Sequence, residues 1–283
     1  MNMVQTTINW HSALRRVLSD GVEVAPVSAG SEWKGRTSKE VMALQTMVPM
    51  DAAVILSPSR MTAPALRFLA AEAAWICSGD NRVATIAPYS RKIRSFSDDG
   101  RRFFGAYGPK FIEQLSYAVH TLATDPGSRQ AVISIWREQP PATKDTPCTL
   151  SWQFLVRDHH LHCVATMRSS DLWTGWPFDV FNFSMAAAVV ALELRLVGGW
   201  WRDLKLGHLC LTAGSQHLYK LDWEPALKLL ASDAEMRAER YEVKQLDLDD
   251  FKTPDELVDH LWALAGKGGS GHQFLTEEHL WQE

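Results

Sequence analysis

The 283-residue chain has few cysteines, and the four it has, Cys77, Cys148, Cys163 and Cys210, lie far apart with no CxxC pair. That spacing argues against a disulfide framework and a paired-cysteine zinc site, and fits reduced thiols in a cytoplasm. Long apolar runs are also missing. The best, "MAAAVVALEL", is interrupted by Glu193 and is too short to span a bilayer. The opening "MNMVQTTINWHSALRR" lacks a basic segment followed by an apolar one, so no secretory signal is expected. No Gly/Ser/Pro linker divides the middle, so a single domain over 1–283 is expected, with a flexible Gly-rich tail at 266–283. Positive charge is not in excess either: the net charge is −4. This excludes the global footprint of a polymer-binding basic protein and leaves small anions met by a few local arginines.

What is present is a mixture of helix and strand signals. Residues 8–19 read as a helix, "VMALQTMVPM" as a strand, and "PALRFLAAEAAWICSG" as a strong helix with Pro64 in its first turn and Gly79 at its stop. A long irregular stretch covers 81–105. Further helices are expected at "KFIEQLSYAVHTLATDP" and "DVFNFSMAAAVVALELRLVG". Strands are expected at "AVISIW", at "LSWQFLVR" and "HLHCVATMR" as a hairpin around Asp158, and in "LKLGHLCLTAGSQHLY". Without a regular βαβ alternation this predicts an α+β fold.

Cys148 follows Pro147 at the mouth of a strand, where by itself it reads as a small core residue. The other polar clusters are each weak alone: Ser128, Arg129 and Gln130; "RSSD" at 168–171; and "GSQHLY" at 214–219. In that last stretch His217 and Tyr219 alternate, so both face one side of a strand. Cys77, Cys163 and Cys210 are expected in the core. Asp98 and Asp99 are expected to form only a turn before Gly100. His159, His160 and His162 sit at a turn and do not suggest a metal site.

Taken in order, these segments resemble the thymidylate synthase family. The matches are "GRTS" at 35–38, "EAAWICSGDN" at 72–81, "GAYG" at 105–108, "DPGSRQ" at 125–130, Pro147-Cys148 with Gln153, "RSSD", "GWPFD" at 175–179, and "GSQHLY". They cover about 36–219. The resemblance implies a large mixed sheet packed with helices and a sheet-mediated homodimer. It implies a pyrimidine nucleoside monophosphate as substrate and 5,10-methylene-tetrahydrofolate as co-substrate, with no metal. Cys148 would be the nucleophile, with Arg168 lowering its pKa. Arg36, Arg168 and Ser169 would hold the phosphate, with Arg129 reaching across the dimer. His217 and Tyr219 would bond the sugar 3′-hydroxyl, and Gln153 would contact the substrate. Glu72 would organise proton transfers, Tyr107 would stand near the nucleophile, and Asp171 would meet the pterin. Gly175, Trp176 and Phe178 would complete the folate site.

The departures from the family shift the expected substrate. Asp179 replaces the Asn that matches both N3–H and O4 of uracil. A carboxylate accepts from the N4 amino group of cytosine and repels O4. The swap resembles the deoxycytidylate 5-hydroxymethylase branch, which serves phage DNA modification and hydroxymethylcytosine nucleoside pathways. The plainer reading is that Asp179 caps a helix starting near Val180. Thr149 replaces a His, Gln130 an Arg, and the stretch with Ile93 and Phe96 lacks the family's Trp. Loss of that Trp would admit water to a methylene intermediate and give 5-hydroxymethyl rather than 5-methyl. The expected activity is therefore 5-hydroxymethylation of dCMP. The alternatives are CMP as substrate and methylation with the folate as hydride donor. A DNA cytosine methyltransferase would need a Gly-rich cofactor loop and a basic face. A catalytically silent binding module is disfavoured by the presence of Cys148, Arg168, Glu72 and Asp179 together.

Overall fold

The computed structural model describes residues 2–25, 36–139, 141–232 and 245–266. Most of the Gly/Ser-rich loop before Arg36 and the expected tail beyond Gly266 lie outside them. The apolar periods of the chain resolve into helices α1 (Asn2–Asp20), α2 (Ala63–Cys77), α3 (Val83–Ile86), α4 (Tyr107–Thr124), α5 (Trp176–Val197), α6 (Lys220–Leu230) and α7 (Pro254–Leu264). The strands are β1 (Val22–Val24), β2 (Ser38–Pro49), β3 (Val132–Ser134), β4 (Thr149–Arg157), β5 (His160–Asp171) and β6 (Lys205–Tyr219). They form one sheet in the order β1-β2-β6-β5-β4-β3. All neighbours are antiparallel except β5 and β6, which α5 joins as a crossover. The α+β expectation and the mixed sheet are thus observed.

The β4–β5 hairpin turns at Asp158 and His159, both with positive φ (48° and 58°). That is the pairing a two-residue turn needs to match strand twist. Alternation then sorts the strands. Trp152, Phe154 and Val156, Leu161, Cys163, Ala165 and Met167, and Leu209, Leu211 and Ala213 are buried under the helices. Between them Gln153, Leu155, Val164, Thr166, Cys210 and Thr212 are half-buried on the opposite face, which no described helix covers. Cys77 and Cys163 are core residues as expected, but the period of two puts Cys210 on this outer face.

α5 is apolar on every side because it is enclosed on every side. It packs on β5 and β6 with α2, α4 and α7 around it. By length and composition it could cross a membrane, yet most of it is buried inside the fold. Burial of Phe154 and Phe183 contributes roughly 1.5–3 kcal/mol each. Trp10 ties α1 to this core by donating Nε1–H to the Leu172 carbonyl at 2.7 Å.

Four sequence expectations need adjusting. α4 begins at Tyr107, not at Lys110. The stretch 81–105 contains α3 and a 3-10 turn at Arg91–Phe96. The strand in "AVISIW" is short, because the Ile135 and Trp136 amides both donate to the Leu150 carbonyl and end the ladder. α5 begins at Trp176, with Pro177 in its first turn and Gly175 at its N-cap. Asp179 therefore lies inside the helix, and the capping reading of it is wrong.

Candidate active site

The strand ladders are interrupted along one line. The pairing skips Ala43 on β2, Gly214 on β6 and Arg168 on β5, and a bulge falls between Thr149 and Ser151 on β4. Irregularities of this kind re-aim side chains. Ala43 takes φ 52°, and a Cβ on Gly214 would come within 3.0 Å of the Arg168 carbonyl oxygen. Cys148 and Arg168 meet on this line: the Arg168 amide donates to the Cys148 carbonyl at 2.8 Å.

The Arg168 guanidinium is held by the Pro147 carbonyl (2.9 Å) and the Thr146 carbonyl (3.0 Å). Its Nη2 stands 3.7 Å from the Cys148 Sγ, and the Ser169 hydroxyl stands 3.6 Å from the same sulfur. Burial pushes the thiol pKa up, while Arg168 and Ser169 pull it down. The expected lowering by Arg168 is present, but burial outweighs it.

Two contacts bring Tyr107 to this sulfur. Gly105 donates to Asp145 at 2.7 Å, and a Cβ on Gly105 would come within 2.1 Å of the Asp145 carbonyl oxygen. Only glycine lets the two loops touch so closely. Asp98 accepts from the Thr143 hydroxyl and the Lys144 amide, so it anchors the loop before Cys148 as well as serving the turn. Asp99 keeps the turn itself, accepting from the Arg101 and Arg102 amides. The Tyr107 ring packs edge-on against Trp152 with centroids 6.0 Å apart. Burial, first, and the nearby Cys148, Asp179 and Glu72 raise its pKa well above the usual phenol range.

Glu72 lies on α2, half-buried, and burial raises its pKa to about 7 against the opposing hydrogen bond from Asn182. The Asn182 Nδ2 donates to Glu72 Oε2 at 2.8 Å. Asp179 sits one turn before Asn182 on α5, and burial, then Glu72 and Asp171, raise the pKa of its carboxyl well above the ordinary carboxylate value. The sequence argument treated Asp179 as a carboxylate; its surroundings favour the neutral acid.

On the other side stand the ends of β5 and β6. His217 and Tyr219 face together, ring centroids 5.0 Å apart. Arg36 and Arg168 both act electrostatically on Tyr219, so the expected phosphate-binding groups converge there with Ser169. Asp171 accepts from the Trp173 amide at 2.9 Å and from the Thr174 hydroxyl, which fixes its carboxylate. Gly175 leaves room for the Asp179 carboxyl: a Cβ there would lie 3.3 Å from its Oδ2.

Two expected site residues are placed elsewhere. Trp176 is fully buried and donates to the Thr46 hydroxyl at 2.9 Å, so it belongs to the core and cannot line a ligand. Trp152 and Phe154 take the inward positions of β4, so Gln153 points to the outer face and donates to the Arg129 carbonyl at 2.8 Å. Arg129 is exposed beside it. Phe178 stays half-buried near the site, edge-on to Phe68.

Buried polar atoms without a partner mark what the site lacks. Among the described residues these include Ser170 Oγ, Asn182 Oδ1 and Gln216 Oε1. A ligand rich in hydrogen-bonding edges fits such a set. A fixed Asp171 carboxylate beside the half-buried Phe178 suits a flat ring bearing N–H groups, so the residues present fit a pterin. Sequence reading missed Asn182 and gave no role to Ser170 and Gln216, which lie inside the quoted "RSSD" and "GSQHLY". The i, i+3 spacing from Asp179 could have found Asn182 once the helix start was known.

A family model described as thymidylate synthase matches residues 10–260. The curated thymidylate synthase of Buchnera aphidicola subsp. Baizongia pistaciae (strain Bp) is 29% identical over 161 residues, which is 53% of this chain and 58% of that relative. With the match running through nearly all the described elements, the chain belongs to the thymidylate synthase family.

Proposed function

We propose that the protein transfers a one-carbon unit to C5 of a cytosine nucleoside monophosphate, with dCMP as the favoured substrate. The observation that carries this reading is the Cys148 sulfur held by Arg168 and Ser169 beside the half-buried Tyr107, Glu72 and Asp179.

In this reading the Cys148 thiol gives up its proton and the sulfur adds at C6, so that C5 becomes nucleophilic. A nucleotide phosphate is met by Arg36, Arg168 and Ser169, and a 3′-hydroxyl by His217 and Tyr219. The neutral Asp179 donates its O–H to N3 of cytosine and accepts from N4–H. As the sulfur attacks, N3 gains basicity and takes that proton, and the resulting carboxylate keeps both bonds. Uracil offers O4, a far weaker base. When bound, the folate supplies the one-carbon unit at the oxidation level of formaldehyde, with Asp171 and Phe178 holding its ring. Glu72, half ionised near neutral pH, accepts the C5 proton. With C5 bonded to that carbon, tetrahydrofolate leaves as the carbon–nitrogen bond breaks, and water adds to the resulting C5 methylene as the C6–S bond breaks, returning the thiol and leaving 5-hydroxymethylcytosine. Ile93 and Phe96 stand in the stretch where the family's Trp would exclude that water.

The outer sheet face, with Leu155, Val164 and Cys210 half-buried, suits a second copy of the chain. Arg129 at its edge would then serve the partner's phosphate site.

Mass spectrometry of the product from purified protein, methylene-tetrahydrofolate and separate dCMP, CMP and dUMP tests this reading. A mass gain of one hydroxymethyl group on dCMP is expected. The same gain on CMP alone moves the substrate to the ribonucleotide. A methyl product with dihydrofolate replaces water addition by hydride transfer. Turnover of dUMP alone overturns the cytosine assignment.

A further inference from the structure

Burial favours the neutral form of Asp179, and a neutral carboxylic acid has one donor and one acceptor on adjacent oxygens. Like an amide, it pairs with the N3/N4 edge of cytosine or, with its oxygens exchanged, with the N3/O4 edge of uracil. Its weaker proton transfer to O4 slows uracil but does not exclude it from the pocket. A second group must therefore read the 4-position if binding is to be selective.

Asn182 is placed to do so. It lies three residues after Asp179 on α5, so the two side chains share one helix face. It is 3% exposed. Its Nδ2 is committed to Glu72 Oε2 at 2.8 Å, while its Oδ1 is buried with no partner. With Glu72 ionised, turning the carboxamide over would face Oδ1 to the carboxylate and bury an unpaired NH2. In that state its free oxygen is held as an acceptor on the helix face it shares with Asp179.

We propose that Asn182 is a specificity-determining residue that selects the 4-amino group of a cytosine nucleotide over the 4-oxygen of a uracil nucleotide. The N4 group of cytosine carries two hydrogens. Asp179 takes the one beside N3, and Asn182 Oδ1 takes the one on the C5 side. Uracil would set its O4 lone pairs against Oδ1 and leave that oxygen buried and unpaired. The same lock fixes Glu72: Oε2 is an acceptor, so the neutral form carries its proton on Oε1. This inference rests on the cytosine reading above.

The test measures C5-hydrogen exchange on dCMP and dUMP without folate, in wild type and in Asn182→Ser and Asn182→Ala. The exchange reports Cys148 addition and proton transfer at C5, without the one-carbon step. Wild type is expected to favour dCMP. Each variant should narrow the dCMP:dUMP ratio of kcat/KM by about tenfold, as loss of one neutral hydrogen bond predicts. Two variants of different polarity guard against loss of folding in one. An equal loss on both nucleotides with the ratio intact shows a merely structural role and overturns this inference, leaving the cytosine reading standing. A wild type that exchanges only dUMP, or neither nucleotide, overturns both.

Discussion

Glu72 and Asp80 come from one short motif, "EAAWICSGD", and lie at opposite ends of the same helical turn-out. Their surroundings are opposite. Asp80 accepts from the Arg82 amide (2.8 Å), the Arg82 guanidinium (2.6 Å at its closest) and the Thr85 hydroxyl (2.8 Å). These bonds outdo its burial and hold its pKa down to about 2. Glu72 has a single donor, Asn182, and burial lifts it to about 7. A carboxylate with all its partners in the chain serves the fold, whereas one left short of partners and close to neutral pH is available for proton transfer. The same contrast separates Cys163, whose pKa burial and then Cys210 raise with nothing opposing them, from Cys148, which Arg168 and Ser169 attend.

The sharpest way to break this comparison is at the sulfur. Cys148→Ala should abolish adduct formation and C5-hydrogen exchange, while Cys163→Ala should leave turnover in place. Retained exchange in the first variant would remove the assigned nucleophile.

Glu72→Gln should lower kcat by about 10²–10⁴, the range for loss of a general acid–base group. It should also stabilise the free protein at high pH. Glu72 has a raised pKa in the folded state, so its penalty on folding is absent below the ordinary value of 4.5. That penalty grows as pH rises to about 7 and is then constant. The gain in thermal stability at pH 8 should be about 3 kcal/mol at most, disappearing near pH 4.5. No difference between the two pH values would show that Glu72 is not held as a buried acid.

Asp179→Asn keeps the pairing shape but has no proton to give to N3. Turnover of dCMP should fall by about 10²-fold or more, measured by product formation, with nucleotide binding reduced much less. Equal loss of binding and turnover would assign Asp179 to recognition alone.

Asp80→Asn should change the least. Its bonds stabilise the fold above pH 3.8, and that contribution is lost as pH falls through about 2. The Arg82 side chain is 66% exposed and water screens the pair, so the cost at pH 7 should be about 1 kcal/mol with catalysis unchanged. A drop in kcat without a drop in melting temperature would place Asp80 on the catalytic side of the comparison.

By itself the sequence determined much of the fold and most of the site's membership. Apolar period located α2, α5 and the β4–β5 hairpin, because core burial forces that pattern on any chain. Ordered motifs brought out Cys148, Arg168, Glu72 and Asp179, whose residue types the chemistry needs. The tertiary structure alone decided their states. Burial depth is a property of the whole packing, so the Asp179 carboxyl and the Cys148 thiol are both raised in pKa, neither of which sequence shows. Strand parity depends on register, so Gln153 and Cys210 turned outward. Enclosure by β2 took Trp176 into the core. Only three-dimensional contact joined Asn182 to Glu72 across 110 residues of chain and left the amide oxygen without a partner.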